Sequence, residues 1–478
     1  MQPTLDATSR PLLTRSSERR VVLAATLGSF LTSLDASAVN AVLPLVREAF
    51  QCTIPTVQWV LLGEMLFVSG LLLVFGRCGD QLGHKRIYLA GFIVFLVGCS
   101  LCAAAPCIGA LITFRILQGT GTAMILASSP ALLVSHLPAE RHGQALGLRA
   151  SLIYLGLAAG PAVGGFLAGH FGWRAVFWLQ LPVGLLGFML ARRFIRDGLQ
   201  VKRPPRVHFL GAVTWTGGLA TLLFALNLGN SWGWTSAGVL VLLLISSALL
   251  TAFIQAGRRR SDPIVDLSLF RRGSFCLPAV TLTLSFICGY LLNFLLPFYL
   301  IQSRRMHPAA AGLLLATNGA IRVITAPLSG YLSDRVGSKA PATFGIGVLA
   351  VGSFLLSRLG DESPIGMVAA GIMTAGCGVG IFVPPNNSML MSAVPRARHG
   401  IASGVLATSR AVGMAIGVAL AGAVRPNENE FAIATVIALI GTMTSAAPGL
   451  SIAHRNKIYA AVKLCENSEK RRPRIRRR

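Results

Sequence analysis

Gly76-Arg-Cys-Gly-Asp80-Gln-Leu-Gly83-His84-Lys85-Arg86 lies between two long apolar runs, and a reduced version, Gly330-Tyr-Leu-Ser-Asp334-Arg-Val-Gly337-Ser-Lys339, lies between two others. In both, an aspartate stands four residues after one glycine and three before the next. A second pair follows: Pro138 and Arg141-His142-Gly143-x-Ala145-x-Gly147 return as Pro395 and Arg398-His399-Gly400-x-Ala402-x-Gly404. Asp334 comes 254 residues after Asp80, and Arg398 comes 257 after Arg141. Two features repeated in one order at nearly one interval indicate two homologous halves.

Working outward, apolar runs of about 20 residues, the length that crosses a bilayer, fall near 21–45, 57–76, 87–106, 108–135, 146–169 and 174–195. Two more lie near 208–228 and 236–256, and six near 275–301, 309–332, 341–358, 364–391, 400–424 and 430–453. The expected fold is an all-α polytopic membrane protein of fourteen transmembrane helices. Residues 21–195 form one six-helix half and 275–454 the other, with two inserted helices within 196–256 that neither half repeats. Polar segments complete the division: an N-terminal tail (1–20), a connection (257–274) and a basic tail (455–478). A duplicated apolar chain of this kind is the pattern of a secondary transporter.

Hydrophobic residues make up 53% and charged residues 13%, too little charge to cover the surfaces of a soluble chain this long. The net charge of +26 invites a nucleic-acid reading, but its placement opposes one. Arginine and lysine gather in alternate loops: Arg10–Arg20, Lys85–Arg86, Arg192–Arg206, Arg258–Arg272, Arg335–Lys339, Arg396–Arg398 and the tail. That asymmetry is the positive-inside pattern and predicts cytoplasmic termini. No cleavable signal is expected, because residues 1–20 are polar and Asp35 interrupts the first apolar run. The nine cysteines lie mostly inside apolar runs without His or acidic neighbours, as packing residues do. No phosphate loop or metal-spaced cluster is visible, so neither enzyme nor cofactor is expected.

The repeated loop has a chemistry of its own. Gly76 and Gly83 permit a tight turn and close helix approach, Asp80 suits a neighbouring helix N-terminus, and Lys85 and Arg86 hold the loop on the cytoplasmic side. It reads as a structural latch, echoed at Gly330, Asp334 and Gly337. The run 146–169 carries Gly156, Gly160 and Gly164 at four-residue spacing, a flat face for a closely approaching helix. Pro161 removes one backbone hydrogen bond and allows a kink.

Here the loop resembles the signature between the second and third helices of the major facilitator superfamily. Leu34-Asp35-x4-Asn40-x3-Pro44 is similar to the first-helix motif of its fourteen-helix drug:proton antiporter branch. Arg115-x2-Gln118-Gly119-x-Gly121 looks like that branch's fourth-helix motif. Gly156-x3-Gly160-Pro161-x2-Gly164-Gly165 is similar to the antiporter motif, associated there with exchange. Trp173-Arg174 with Pro182-x-Gly184 and Arg410-x2-Gly413 also fit, the latter implying a structural role for Arg410. The resemblance covers essentially the whole chain. Glu64 departs from it, the position being more often tyrosine or another uncharged residue, and Arg322 is unexpected for a pump of bulky cations.

Charges within apolar runs are costly and therefore informative. At ~1.5 Å per residue, Asp35, Glu64 and Arg115 all sit roughly 10–15 Å below one membrane face. Two acids and an arginine at one depth form a candidate proton-coupling cluster; the competing reading is a static ion pair. If the resemblance holds, the runs 21–45, 108–135, 275–301 and 364–391 line the cavity. That makes Asn40, Gln118, Tyr290, Asn293, Phe294 and Asn386 its candidate contacts, and Arg322 in the run 309–332 joins them for its charge. Pro384-Pro385-Asn386-Asn387 reads as a break in its helix.

These readings converge on proton-gradient-driven export of small amphipathic compounds by alternating access, through a multi-pass plasma-membrane protein, bacterial inner membrane by type, with a monomer as the expected unit. Its partners would be substrate, protons and lipid, not nucleic acid. Two alternatives stand beside this: a transporter of one neutral or anionic metabolite, with Arg322 binding the anion, and a transporter-like membrane sensor.

Overall fold

The computed structural model describes residues 15–138, 141–195, 209–258, 273–360, 362–394, 399–423 and 430–446. The basic linker, the connection at 259–272, Pro395 and Arg398 of the second repeat, and the tails at 1–14 and 447–478 lie outside them. Among the described residues there are fifteen α-helices and no strand. In chain order they are α1 (Arg15–Phe50), α2 (Ile54–Val57), α3 (Trp59–Leu82), α4 (His84–Ala103), α5 (Ile108–His136), α6 (His142–Phe171) and α7 (Arg174–Phe194). Then come α8 (Phe209–Trp232), α9 (Ala237–Arg258), α10 (Gly273–Phe298), α11 (Pro308–Val336), α12 (Lys339–Ser357), α13 (Ile365–Ser392), α14 (His399–Ala423) and α15 (Glu430–Ala446). Among the described residues, eleven helices are long and apolar enough to cross a membrane. Three further apolar segments are shorter: Val213–Leu226 in α8, Thr408–Gly422 in α14 and Phe431–Ala446 in α15.

Helix ends follow local chemistry. Gly83 between α3 and α4 has φ +95°, and Gly337 between α11 and α12 has φ +86°, backbone that residues with a Cβ rarely adopt. The repeated loop therefore turns at its second glycine. Gly76 differs from expectation: nothing lies within 4 Å of where its Cβ would stand, so no close approach depends on it. Helix α13 also differs. It runs unbroken through Pro384 and Pro385, and Asn386 crosses to α10, donating from Nδ2 to the Pro278 carbonyl at 3.0 Å.

Duplication shows in the packing. Helix α1 packs on α6 and α7, α4 on α5 and α7, and α3 on α5. In the second half α10 packs on α14 and α15, α12 on α13 and α15, and α11 on α13. Each arrangement repeats the other with helices in corresponding order. The halves meet along α6–α11 and α3–α14, while α8 pairs with α9 and leans on α3 and α14.

The end of the bundle holding Phe50 is closed between the halves. Asn40 donates to the Asn293 carbonyl at 2.7 Å, Arg47 to Gln302 at 2.6 Å, and Gln58 to the Val418 carbonyl at 2.6 Å. Gln302 is presented by a π-helical turn, Tyr299–Ser303, that follows Pro297 at the end of α10. His170 and His307 meet edge to face at the same end, ring centroids 5.8 Å apart.

Candidate functional site

Arg115 organises the interior of the first half. It projects from α5, is completely buried, and gathers ligands from three helices. Its Nη1 donates to both oxygens of Asp35 on α1, at 3.1 and 2.9 Å, and to Gln118 Oε1 at 2.7 Å. Its Nη2 pairs with Glu64 on α3, and its Nε donates to the Val60 carbonyl at 3.2 Å. Asp35 is 0% exposed and Glu64 4%. Glycines allow these helices to approach: a Cβ on Gly119 would stand 2.9 Å from the Glu64 carbonyl oxygen, and one on Gly98 2.8 Å from Gln118 Cα.

The remaining hydrogen-bonding capacity is largely taken up. Gln118 Nε2 donates to Asp35 at 3.1 Å and to Gln180 Oε1 at 3.2 Å, and Cys99 donates to that same Oε1 at 3.1 Å. Thr122 donates to Glu64 at 3.4 Å. Phe177 places its ring 5.9 Å from the Arg115 guanidinium, a favourable face for a cation. Gln180 and Cys99 are not among the expected site residues; a glutamine inside the apolar run 174–195 is the sequence signal that marks the first of them.

Two carboxylates thus share one guanidinium. With both ionised the cluster carries a net charge of −1 in a dry interior, and one bound proton cancels it. Such a group is suited to taking up and releasing a single proton when its surroundings change.

The glycine face of α6 seats α1, the helix of Asp35. A Cβ on Gly156 would stand 2.7 Å from the Phe30 carbonyl oxygen, on Gly160 2.8 Å from that of Leu34, and on Gly164 2.9 Å from that of Ala38. The opposite face of α6 meets the other half: Pro161 and Gly165 lie against Gly312, and Ala158 against Gly319 of α11.

One turn further along this antiparallel seam come Tyr154 and Arg322. Arg322 is partly accessible, as are Tyr154, Tyr290 and Arg410, while its Nε atom is buried without a hydrogen-bond partner. Arg149 on α6, not expected, bonds Ser29 and Ser129 at 3.0 and 3.1 Å. Asn293 offers its carbonyl to Asn40 at the closed end. Phe294 is 1% exposed and packs on Phe298 in the core, and Asn386 is 1% exposed and bound to α10, so neither is accessible.

The two loop aspartates part company. Asp80 takes its hydrogen bond from the His84 side chain at 3.1 Å, the first residue of α4, rather than from a helix backbone. Asp334 is exposed. Lys85 and Arg86 begin α4, and Gly330 has only Pro384 Cβ near it, at 4.0 Å.

Residues 25–418 match the family model described as Major Facilitator Superfamily. The chain is 31% identical over 404 residues to Multidrug resistance protein Stp of Mycobacterium tuberculosis, covering 84% of this chain and 75% of that protein. It is 28% identical over 400 residues to Riboflavin transporter RibZ of Clostridioides difficile, covering 84% and 86%. Among solved structures, that of a peptide transporter POT in complex with sulfate superposes with a TM-score of 0.70 at 16% identity, over 91% of this chain and 94% of that one, a likeness of fold. With its family model matched over most of its length and a duplicated bundle of helices beneath it, the chain belongs to the Major Facilitator Superfamily.

Proposed function

We propose that this membrane transporter exports small amphipathic compounds, drugs among them, in exchange for protons. Fourteen helices cross the plasma membrane, the inner membrane of a bacterium, with both chain termini in the cytoplasm. The observation that carries the proposal is the sharing of Arg115 by Asp35 and Glu64. A static tie between helices needs one acid; the second leaves a charge that one proton neutralises. The closed Phe50 end is the outer face on this reading, and the accessible residues deeper in line a gap open to the cytoplasm. Release outward requires the bonds of Asn40, Arg47 and Gln58 to break as the halves rock. A multidrug resistance relative supports export, and a riboflavin transporter relative supports planar aromatic cargo.

Reconstituted protein tests this directly. Proton-gradient-driven efflux of a panel of dyes and drugs from proteoliposomes is expected for the wild type and lost in Asp35→Asn and Glu64→Gln. Equal transport by all three proteins would remove the cluster from coupling.

A further inference from the structure

Arg322 stands midway along α11, and Arg410 lies well inside α14. Both are surrounded by protein yet keep accessible surface, as residues lining an internal gap do. The Nε atom of each is buried without a hydrogen-bond partner, and neither makes an ion pair among the described residues. Two acids lie deep in the apolar runs, Asp35 and Glu64, and Arg115 holds both. The charges of Arg322 and Arg410 are therefore uncompensated at membrane depth, where an unpaired charge is expensive.

Aromatic residues stand out among their other neighbours. Tyr154 of α6 and Tyr290 of α10 lie within electrostatic reach of both arginines. The Arg410 guanidinium stands 5.9 Å from the centre of the Phe286 ring, and Phe286 stacks with Tyr290 at 6.3 Å and 29°. Arg149 adds a third positive charge near Arg410. The set is two guanidiniums with free donors, two phenol hydroxyls and a flat aromatic wall.

We propose that Arg322 and Arg410 form the anion-binding end of the substrate site, and that its ligand is a planar aromatic anion. The anionic group is held at the two guanidiniums that share Tyr154 and Tyr290 as neighbours; their fork of donors suits a carboxylate. The ring lies on Phe286 and Tyr290, and the hydroxyls of Tyr154 and Tyr290 complete the donor set. Such a ligand touches α6 of one half and α10, α11 and α14 of the other, so its affinity depends on how the halves sit. A cation of the same shape is repelled. The proposal rests on the transporter reading above for its gap between halves, but not on the direction of transport or on protons.

Equilibrium dialysis of the full chain in phosphatidylcholine nanodiscs, against three naphthalene probes, tests it: 2-naphthoate, 2-naphthamide and 2-naphthylmethylammonium. The wild type should bind naphthoate about tenfold tighter than the other two, as expected for charge-assisted hydrogen bonds. Arg322→Gln and Arg410→Gln should each weaken naphthoate by about tenfold without weakening the cation, and Arg322→Lys should retain part of the preference. Thermal unfolding of each variant establishes that the folded protein is being measured. Equal affinity for all three probes, tighter binding of the cation, or unchanged naphthoate binding by both Gln variants overturns the anion site. The two proposals fail separately. Naphthoate binding without gradient-driven transport of any compound defeats the proton exporter and leaves the anion site standing. Gradient-driven transport of cations without naphthoate binding does the reverse.

Discussion

Arg115 in the first half and Arg322 with Arg410 in the second are the same side chain inside the helical bundle, in opposite circumstances. Arg115 is sealed from solvent, and its donors reach two carboxylates, an amide and a backbone carbonyl. Arg322 and Arg410 keep accessible surface, have unpartnered Nε atoms and face tyrosines. The duplication that copied the helices did not copy this chemistry. One half holds a charge cluster completed by its own acids. The other holds positive charge with no carboxylate partner among the described residues.

The comparison breaks most readily at Arg115. Arg115→Gln strands two buried carboxylates and should destabilise the protein by about 3–5 kcal/mol, read as a large fall in the thermal midpoint in detergent. Arg322→Gln and Arg410→Gln remove uncompensated charge and should leave that midpoint unchanged or higher. Equal losses in all three would erase the contrast. Next in size is Gly160→Val, which pushes α1, and Asp35 with it, away from α6. A cost of about 1–3 kcal/mol and loss of transport are expected, whereas Gly330→Ala, whose Cβ would meet only Pro384 Cβ at 4.0 Å, should leave transport intact. Glu64→Gln leaves one acid facing one arginine; its stability should change by about 1 kcal/mol or less, while flux loses its response to an imposed pH gradient. Smallest are the loop acids. Asp80→Asn should cost up to about 1 kcal/mol through the lost His84 pair, and Asp334→Asn about 0.5 kcal/mol or less, both measurable as midpoint shifts.

The helices were legible because spanning length and hydropathy are properties of the chain itself, and the spacing of Asp80 and Asp334 gave the two halves. The meeting of Asp35, Glu64 and Arg115 was legible for a physical reason: charge in an apolar run is rare, and depth follows from rise per residue. Facing direction was harder. A helix apolar on every side gives no sign of which side meets the gap, and so Phe294 and Asn386 turned out to be core. Arg149 and Gln180 lay in runs whose polar residues drew no separate reading, although each was as unusual at its depth as Glu64. Arg410 matches a motif that implies a structural role, and its lack of a partner shows only once the helices are packed.

The seam between α6 and α11 has a further consequence. Pro161, Gly165, Ala158, Gly312 and Gly319 bring main chain against main chain where the halves meet. A joint without long side chains has no interlocked rotamers to re-sort when the two surfaces roll over one another. It can serve as a low-friction bearing between the halves.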